Sequence, residues 1–204
     1  MNGIEIGRSQ KLADWKPILE RWINELDRML ELTGGLEAPY VHAEHGNTHH
    51  LAVCAAIEGY ACIREVMGNR NGHSARLDLA LISDRYVDMV ECKWWEFSLH
   101  GLPAASGISD KVKDACMDAM SYSNDSRMYS DSGKETRRIG VAFFTPHYSE
   151  NDSFSESKAL DAISFIKSAV SPDAIAWSFP PKTREMKYWK RRYPGVIAVV
   201  KLAQ

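Results

Sequence analysis

Three charged residues in the middle of the chain have the types and the spacing of a metal-dependent hydrolytic site. Glu91 and Lys93 stand two residues apart, and Asp78 lies thirteen residues before Glu91. Two carboxylates held close together repel each other, and a divalent cation relieves that repulsion. Mg²⁺ is commonly held by one or two carboxylates and substrate phosphate, while a lysine beside it can supply positive charge or transfer a proton. The three residues therefore predict a magnesium site for a phosphate-containing substrate.

Two predicted strands bring these residues together. Residues 76–82 and 86–95 alternate with a period of two and are joined by three turn-forming residues, which predicts a β-hairpin. A tight turn places Asp78 opposite Glu91 on one face of the hairpin, and a turn one residue longer places Asp78 opposite Val90. Glu91 and Lys93 point to the same face in either register because strand residues two apart do so.

Apolar residues surround the three charges on both predicted strands. Leu77, Leu79 and Leu81 are expected to form one face of the first strand. Val90, Cys92 and Trp94 are expected to form one face of the second. A charge embedded among such residues is costly unless it is paired or used. This setting favours a functional site over ordinary surface charges, which are the alternative interpretation.

The remaining pattern predicts a single α/β domain over residues 1–204. Helices are predicted over residues 11–32, 48–67, 109–122 and 155–170, and strands over residues 138–145, 174–179 and 196–202. Thr48 is expected to cap the second helix, Pro146 to end a strand, and residues 124–135 to form a polar loop. Helices that alternate with strands indicate a mixed central sheet flanked by helices.

The sequence from Asp78 to Glu91-Cys92-Lys93 resembles the PD-(D/E)XK nuclease superfamily, which has the restriction-endonuclease-like fold. The resemblance implies an αβββαβ core over about residues 48–145, preceded by an N-terminal helix and followed by a C-terminal αββ extension over about residues 146–204. It also implies a hydrolase that cleaves phosphodiester bonds of DNA or RNA. Mg²⁺, with Mn²⁺ as a substitute, would be held by Asp78, Glu91 and the Cys92 carbonyl, and Lys93 would assist the attacking water.

The chain departs from the family pattern at two points. Leu77 stands where the motif's name has proline, which costs little because that side chain does no chemistry. The predicted helix to residue 67 leaves no room for the family's first strand before Asp78, so that strand is expected upstream or very short. Many members add a helical glutamate. Glu58 is the first candidate for it, with a structural ion pair as its alternative role, and Glu44 is the rival.

Basic residues supply candidate nucleic-acid contacts. Those near the C-terminus are interleaved with Tyr188, Trp189 and Tyr193, and cations combined with aromatic rings suit a nucleic-acid surface; they are Lys182, Arg184, Lys187, Lys190, Arg191 and Arg192. Lys111 and Lys113 stand near the start of the third predicted helix and could approach phosphate there. A solvated surface is the alternative for all eight.

Two other functions fit parts of the sequence. A catalytically inactive protein with the nuclease fold could bind a nucleic acid or a protein partner. A zinc hydrolase could use the four histidines His42, His45, His49 and His50. His45 and His49 would align on a helix, but the residues between them are predicted to be a helix cap, so solvated histidines are favoured.

Composition excludes several classes of protein. The 204 residues carry a net charge of −2, which argues against a protein that coats nucleic acid by bulk charge. No apolar run approaches the ~20 residues of a membrane helix, and the N-terminus has no secretory pattern. Four cysteines without a CxxC pair favour a reducing cytoplasm. The expected partner is a nucleic acid, and DNA is favoured over RNA. Binding to a membrane is not expected, and formation of a homodimer is left open.

Overall fold

An open mixed β-sheet forms the centre of the computed structural model, which describes residues 1–122, 133–184 and 186–204. Four α-helices lie in these ranges: α1 (Lys16–Leu32), α2 (Ala43–Ile57), α3 (Ala105–Met120) and α4 (Glu156–Val170). The strands are β1 (Asn2–Ile6), β2 (Ala61–Arg70), β3 (His73–Ile82), β4 (Tyr86–Ser98), β5 (Glu135–Ser149), β6 (Ala174–Ser178), β7 (Lys187–Tyr188), β8 (Arg191–Arg192) and β9 (Val196–Leu202). Most of the predicted loop over residues 124–135 lies outside the described residues.

The sheet has the strand order β1-β6-β9-β5-β4-β3-β2, and β7 and β8 extend from β5 as a short hairpin. Among the described strands, β4 and β5 are the parallel pair, and α3 provides the crossover between them. Helices α1 and α2 cover one core, and α3 and α4 cover another. The predicted α/β fold, with a mixed sheet flanked by helices, is confirmed. No helix in the described ranges is long and apolar enough to cross a membrane.

The second predicted helix is the largest error of the sequence interpretation. Helix α2 ends at Ile57, and Gly59, with φ of 91°, turns the chain into β2. The strand before Asp78 is therefore β2, and residues 61–67 of this strand were predicted to be helical. Only Val66 of this edge strand is buried, so its apolar alternation is too weak to identify it. The elements then follow in the order α2-β2-β3-β4-α3-β5.

Several predicted boundaries are also wrong. Helix α2 begins at Ala43, and Thr48 lies inside it with its hydroxyl donating to the Glu44 carbonyl, so Thr48 is not a cap. Helix α3 begins at Ala105, four residues before the predicted start. Strand β5 continues through Pro146, which was predicted to end it. The pairing of β5 with β9 stops at residue 144, so the N–H that proline lacks would not have bonded to β9.

A buried ion-pair network joins the chain before α1 to β4 and β5. The Asp88 side chain is fully buried and accepts hydrogen bonds from Arg137 (2.6 and 2.7 Å) and from the Trp15 indole (2.8 Å). Arg137 also donates to Asp14 at 2.7 Å and lies 3.7 Å from the centre of the Tyr86 ring. Burial raises the pKa of Asp88, although the hydrogen bonds from Arg137 act in the opposite direction.

We expect Arg137→Met to lower the free energy of unfolding by about 3–5 kcal/mol, because it leaves the Asp88 carboxylate buried beside no cation. Urea denaturation at neutral pH measures the change. Arg28→Met is the matched control, since the Arg28 side chain is 67% exposed and its loss should cost under about 1 kcal/mol. Equal effects of the two substitutions would contradict a stabilising role for the network.

Candidate active site

The register of the β3–β4 hairpin brings Asp78 beside Glu91. The paired residues run from Ile82 opposite Val87 to Leu79 opposite Val90, which is the register predicted for a tight turn. The same register sets Asp78 opposite Glu91, but the backbone ladder ends at Leu79. At that point the Cys92 N–H donates to Oδ2 of Asp78 at 2.8 Å. The side chain thus replaces a backbone acceptor, and this bond orients the carboxylate.

The alternation of side chains between the two faces of strand β3 shifts at Asp78. Leu79 lies in the core covered by α1 and α2, whereas Leu77 and Ala80 lie in a separate small cluster. Glu65 of β2, which stands across from Asp78, has φ of 54° and is left out of the regular pairing. The single apolar face predicted for Leu77 and its alternate neighbours is therefore wrong, because the irregularity at residues 65 and 78 rotates the strand.

Glu91 is a buried carboxylate with spare hydrogen-bonding capacity. It is 3% exposed, and burial, followed by the nearby Asp78 charge, raises the pKa of Glu91 to about 8. The Tyr122 hydroxyl is near enough to influence the carboxylate, but the pair does not reach hydrogen-bond geometry. Oε1 of Glu91 therefore has no hydrogen-bond donor among the described residues. A buried acceptor of this kind needs an explanation, and a bound cation is one.

Lys93 is held by a carboxylate that the sequence analysis did not identify. Its Nζ lies 2.7 Å from Oδ2 of Asp118 on α3 and 4.0 Å from Oε2 of Glu91. Arg70 of β2 also donates to Asp118. Burial acts to lower the pKa of Lys93, but the hydrogen bond and the charge of Asp118 outweigh it, and the pKa is raised. Lys93 therefore stays protonated near neutral pH.

Of the two candidate helical glutamates, Glu44 is the one near these residues. Burial and then the Asp78 charge raise the pKa of Glu44, while Lys93 lowers it, so the three groups lie within electrostatic reach of one another. Glu58 sits at the opposite end of α2, about 21 Å away along the helix axis. There it accepts a hydrogen bond from Arg21 at 2.8 Å, which is the ion-pair role considered for it.

Lys111 is the other candidate residue that approaches the site. Its charge lowers the pKa of Glu44, and it shares a face of α3 with Asp118 because the two are seven residues apart. Lys113 is exposed and lies two residues along the helix from Lys111, so it is turned away from that face. The start of α3 therefore contributes one lysine to the surroundings of the acidic residues.

The C-terminal basic residues do not form one continuous cluster. Lys182 lies 3.8 Å from Glu31 of α1, and Arg184 lies 3.6 Å from Glu156 of α4. The other four belong to the β7–β8 hairpin: Lys187, Lys190, Arg191 and Arg192. The sequence run is thus divided between two ion pairs to helices and one hairpin.

The histidines are dispersed. His50 is buried and bonds to the Trp22 carbonyl at 3.0 Å, and burial lowers its pKa. His42 bonds to Glu37 at 2.8 Å, while His45 and His49 are on a helix that runs unbroken through the predicted cap. Across the described ranges, no three or more His, Cys, Asp or Glu side chains are arranged to hold a metal ion. A cation beside Asp78 would therefore need further oxygen ligands, such as the Cys92 carbonyl, water or phosphate.

The comparisons with known proteins do not assign the site. No protein-family model, no curated protein and no solved structure matches the chain.

We expect Glu91→Gln to remove a pH dependence of stability. Glu91 has a pKa of about 8 in the folded chain against an ordinary value of 4.5, so between these values the folded chain binds more protons than the unfolded chain. The contribution of Glu91 to stability therefore falls as the pH rises from about 4.5 to about 8. Urea unfolding in a chelating buffer should find Glu91→Gln more stable than the parent chain at pH 8.5, with a smaller difference at pH 5.5.

The matched control for this measurement is Glu20→Gln, because the Glu20 side chain is 52% exposed on α1. This control should follow the pH profile of the parent chain. A Glu91→Gln variant whose profile also matches that of the parent would mean that burial does not shift the pKa of Glu91.

Proposed function

We propose that the chain is a metal-dependent nuclease that hydrolyses phosphodiester bonds of DNA or RNA. The observation that carries the proposal is the buried Oε1 of Glu91, which lacks a hydrogen-bond donor among the described residues and lies beside a second carboxylate, Asp78. The order α2-β2-β3-β4-α3-β5 supports it, since the resemblance to PD-(D/E)XK nucleases implies an αβββαβ core. Asp78 lies on the second strand of this order, β3, and Glu91 and Lys93 lie on the third, β4.

The residues present fit a hard divalent cation. Asp78 and Glu91 offer carboxylate oxygens and the Cys92 carbonyl can add a third oxygen, the donor type that Mg²⁺ and Mn²⁺ prefer. Glu44 adds negative charge within electrostatic reach. Bound Mg²⁺ would supply a Lewis acid for the phosphate and would lower the pKa of a water molecule.

The protein groups have distinct roles in this proposal. Asp78 is oriented before any ligand arrives, because the Cys92 N–H holds one of its oxygens. Glu91 would have to lose its proton to hold a cation, so metal binding would release protons below about pH 8. Lys93 is cationic and stabilises the negative charge that develops on the phosphate, because Asp118 keeps it protonated.

The setting we propose is a reducing one, the cytoplasm. Cys54, Cys62, Cys92 and Cys116 are all free thiols, and burial raises the pKa of each, which makes them poor nucleophiles. This supports a hydrolytic site built on carboxylates and lysine rather than on a cysteine.

The test is incubation with labelled DNA and RNA, single- and double-stranded, with Mg²⁺ or Mn²⁺ and with a chelator. We expect metal-dependent cleavage that falls at least about a hundredfold in Asp78→Asn and in Lys93→Ala. The amide introduced by Asp78→Asn would keep an oxygen acceptor for the Cys92 N–H, and in Lys93→Ala the Asp118 carboxylate keeps its bond to Arg70, so both variants should remain folded.

The matched control is Glu58→Gln, which changes the carboxylate at the far end of α2 and should retain full activity. Full activity of Asp78→Asn would contradict the assignment of Asp78 as a metal ligand of a nuclease. Nucleic-acid binding by the parent chain without metal-dependent cleavage, and without heat of Mg²⁺ binding in a titration, would favour the inactive nuclease-fold protein instead.

Asp118 is expected to act as a positioning residue for Lys93. Asp118→Asn removes the negative charge that raises the pKa of Lys93, so the alkaline limb of the pH profile of kcat/KM should move to lower pH. A purely structural role would lower activity equally at every pH. Because Asp118 acts through Lys93, adding Asp118→Asn to Lys93→Ala should cause little further loss, and additive losses would contradict the role.

A further inference from the structure

A short hairpin of residues 187–192, here called the basic hairpin, projects from the end of β5. Its two strands pair Lys187 with Arg192 and Tyr188 with Arg191, and the turn between them is Trp189 and Lys190. Arg191 and Arg192 attach it to residues 148–149 of β5. The basic hairpin therefore has a fixed base and a two-residue tip that contains an aromatic ring and an ammonium group.

Trp189 is both exposed and strained. At 83% exposure it is the most exposed large hydrophobic residue among those described, and its φ is 59°. A bulky residue in the left-handed region is costly, and at this exposure little packing within the chain offsets the cost. The adjacent Tyr188 is 42% exposed, and its ring lies 6.4 Å from that of Trp189. The positive φ belongs to the two-residue turn, and the turn holds the Trp189 ring in solvent where a ligand can reach it.

The tip of the basic hairpin carries a cation that can contact a phosphate. Lys187 is paired with Glu150 and Arg191 with Glu96, so these two cations are partly neutralised. Lys190 forms no ion pair within the described part of the chain, although it is near enough to lower the pKa of Glu150. The tip thus presents one ammonium group next to the Trp189 ring.

The basic hairpin contacts β4 and the start of α2, the two elements that carry Glu91, Lys93 and Glu44. The Tyr188 ring is 6.4 Å from that of His42, which stands two residues before Glu44. From the other side, Arg191 binds Glu96, which follows Lys93 on β4 by three residues, or about 10 Å. The same strand and the start of α2 therefore connect the hairpin to the candidate active site.

We propose that the basic hairpin binds single-stranded nucleic acid, with an unpaired base stacked on Trp189 and a neighbouring phosphate contacted by Lys190. The inference rests on the proposed function and names the form of its substrate. A duplex keeps its bases stacked and presents few base faces, whereas a single strand offers a face to any aromatic ring. Stacking is tolerant of sequence, so the hairpin selects unpaired nucleotides rather than a particular sequence.

The experiment measures binding without cleavage, by fluorescence anisotropy of end-labelled oligonucleotides in a chelating buffer. Single-stranded DNA, single-stranded RNA and a blunt DNA duplex form the three arms. We expect Trp189→Ala to weaken single-strand binding by roughly five- to a hundredfold, Trp189→Phe to retain most of it, and duplex binding to be much less affected. The single-stranded arm that binds more tightly identifies DNA or RNA as the ligand.

Two variants separate stacking from folding. Trp189→Gly places at φ of 59° the residue that adopts this conformation most readily, so its midpoint of thermal unfolding should equal or exceed that of the parent while single-strand binding falls. Leu32→Ala changes a side chain on a residue that is 79% exposed on α1 and should leave binding unchanged.

Single-strand binding that changes less than twofold in Trp189→Ala, or a parent chain that binds the duplex more tightly, would overturn the proposal. Both results leave the proposed function standing if metal-dependent cleavage is observed. Conversely, Trp189-dependent binding of single strands by a chain that never cleaves them would support nucleic-acid binding by the basic hairpin and overturn the proposed nuclease activity.

Discussion

The candidate site depends on one hydrogen bond, from the Cys92 N–H to Oδ2 of Asp78, formed where the backbone pairing of β3 and β4 stops. In a regular hairpin the backbone of β3 would continue to pair with β4. Here the side chain takes over as the acceptor, and the opening between the strands leaves Asp78 and Glu91 beside each other without a backbone ladder between them. A carboxylate oriented by a backbone donor is held in place without occupying both of its oxygens.

Burial gives the neighbouring groups their properties. Glu91 is desolvated and lies near Asp78, so it keeps its proton up to about pH 8, and a nearby cation would favour its ionised form. Lys93 is also partly desolvated, but Asp118 provides a compensating charge, and the lysine stays protonated. The same low-polarity setting thus keeps Glu91 protonated and Lys93 charged. The carboxylate near Glu91 repels its negative form, whereas the carboxylate near Lys93 attracts its positive form.

The surrounding fold keeps this arrangement rigid. Asp88 and Arg137 join β4 to β5 a few residues before Glu91, and both are almost fully buried. The parallel pairing of β4 with β5 then runs along the whole strand, from Tyr86 to Ser98. At the far end of that strand Glu96 binds the basic hairpin, so β4 connects the structural network, the acidic residues and the proposed nucleic-acid contact.

The sequence by itself determined the β3–β4 hairpin and left two registers for it, because period-two alternation and a short turn leave few ways to pair two strands. Both registers bring Asp78 near Glu91, and the structure selects the one that sets them opposite each other. Only the tertiary structure decided which residues join them. Glu44 lies near them and Glu58 does not, because α2 begins and ends earlier than predicted. The pattern of β2, an edge strand with one buried residue, is too weak to mark that end. Asp118 meets Lys93 only through the packing of α3 on the sheet, a long-range contact that no local spacing encodes.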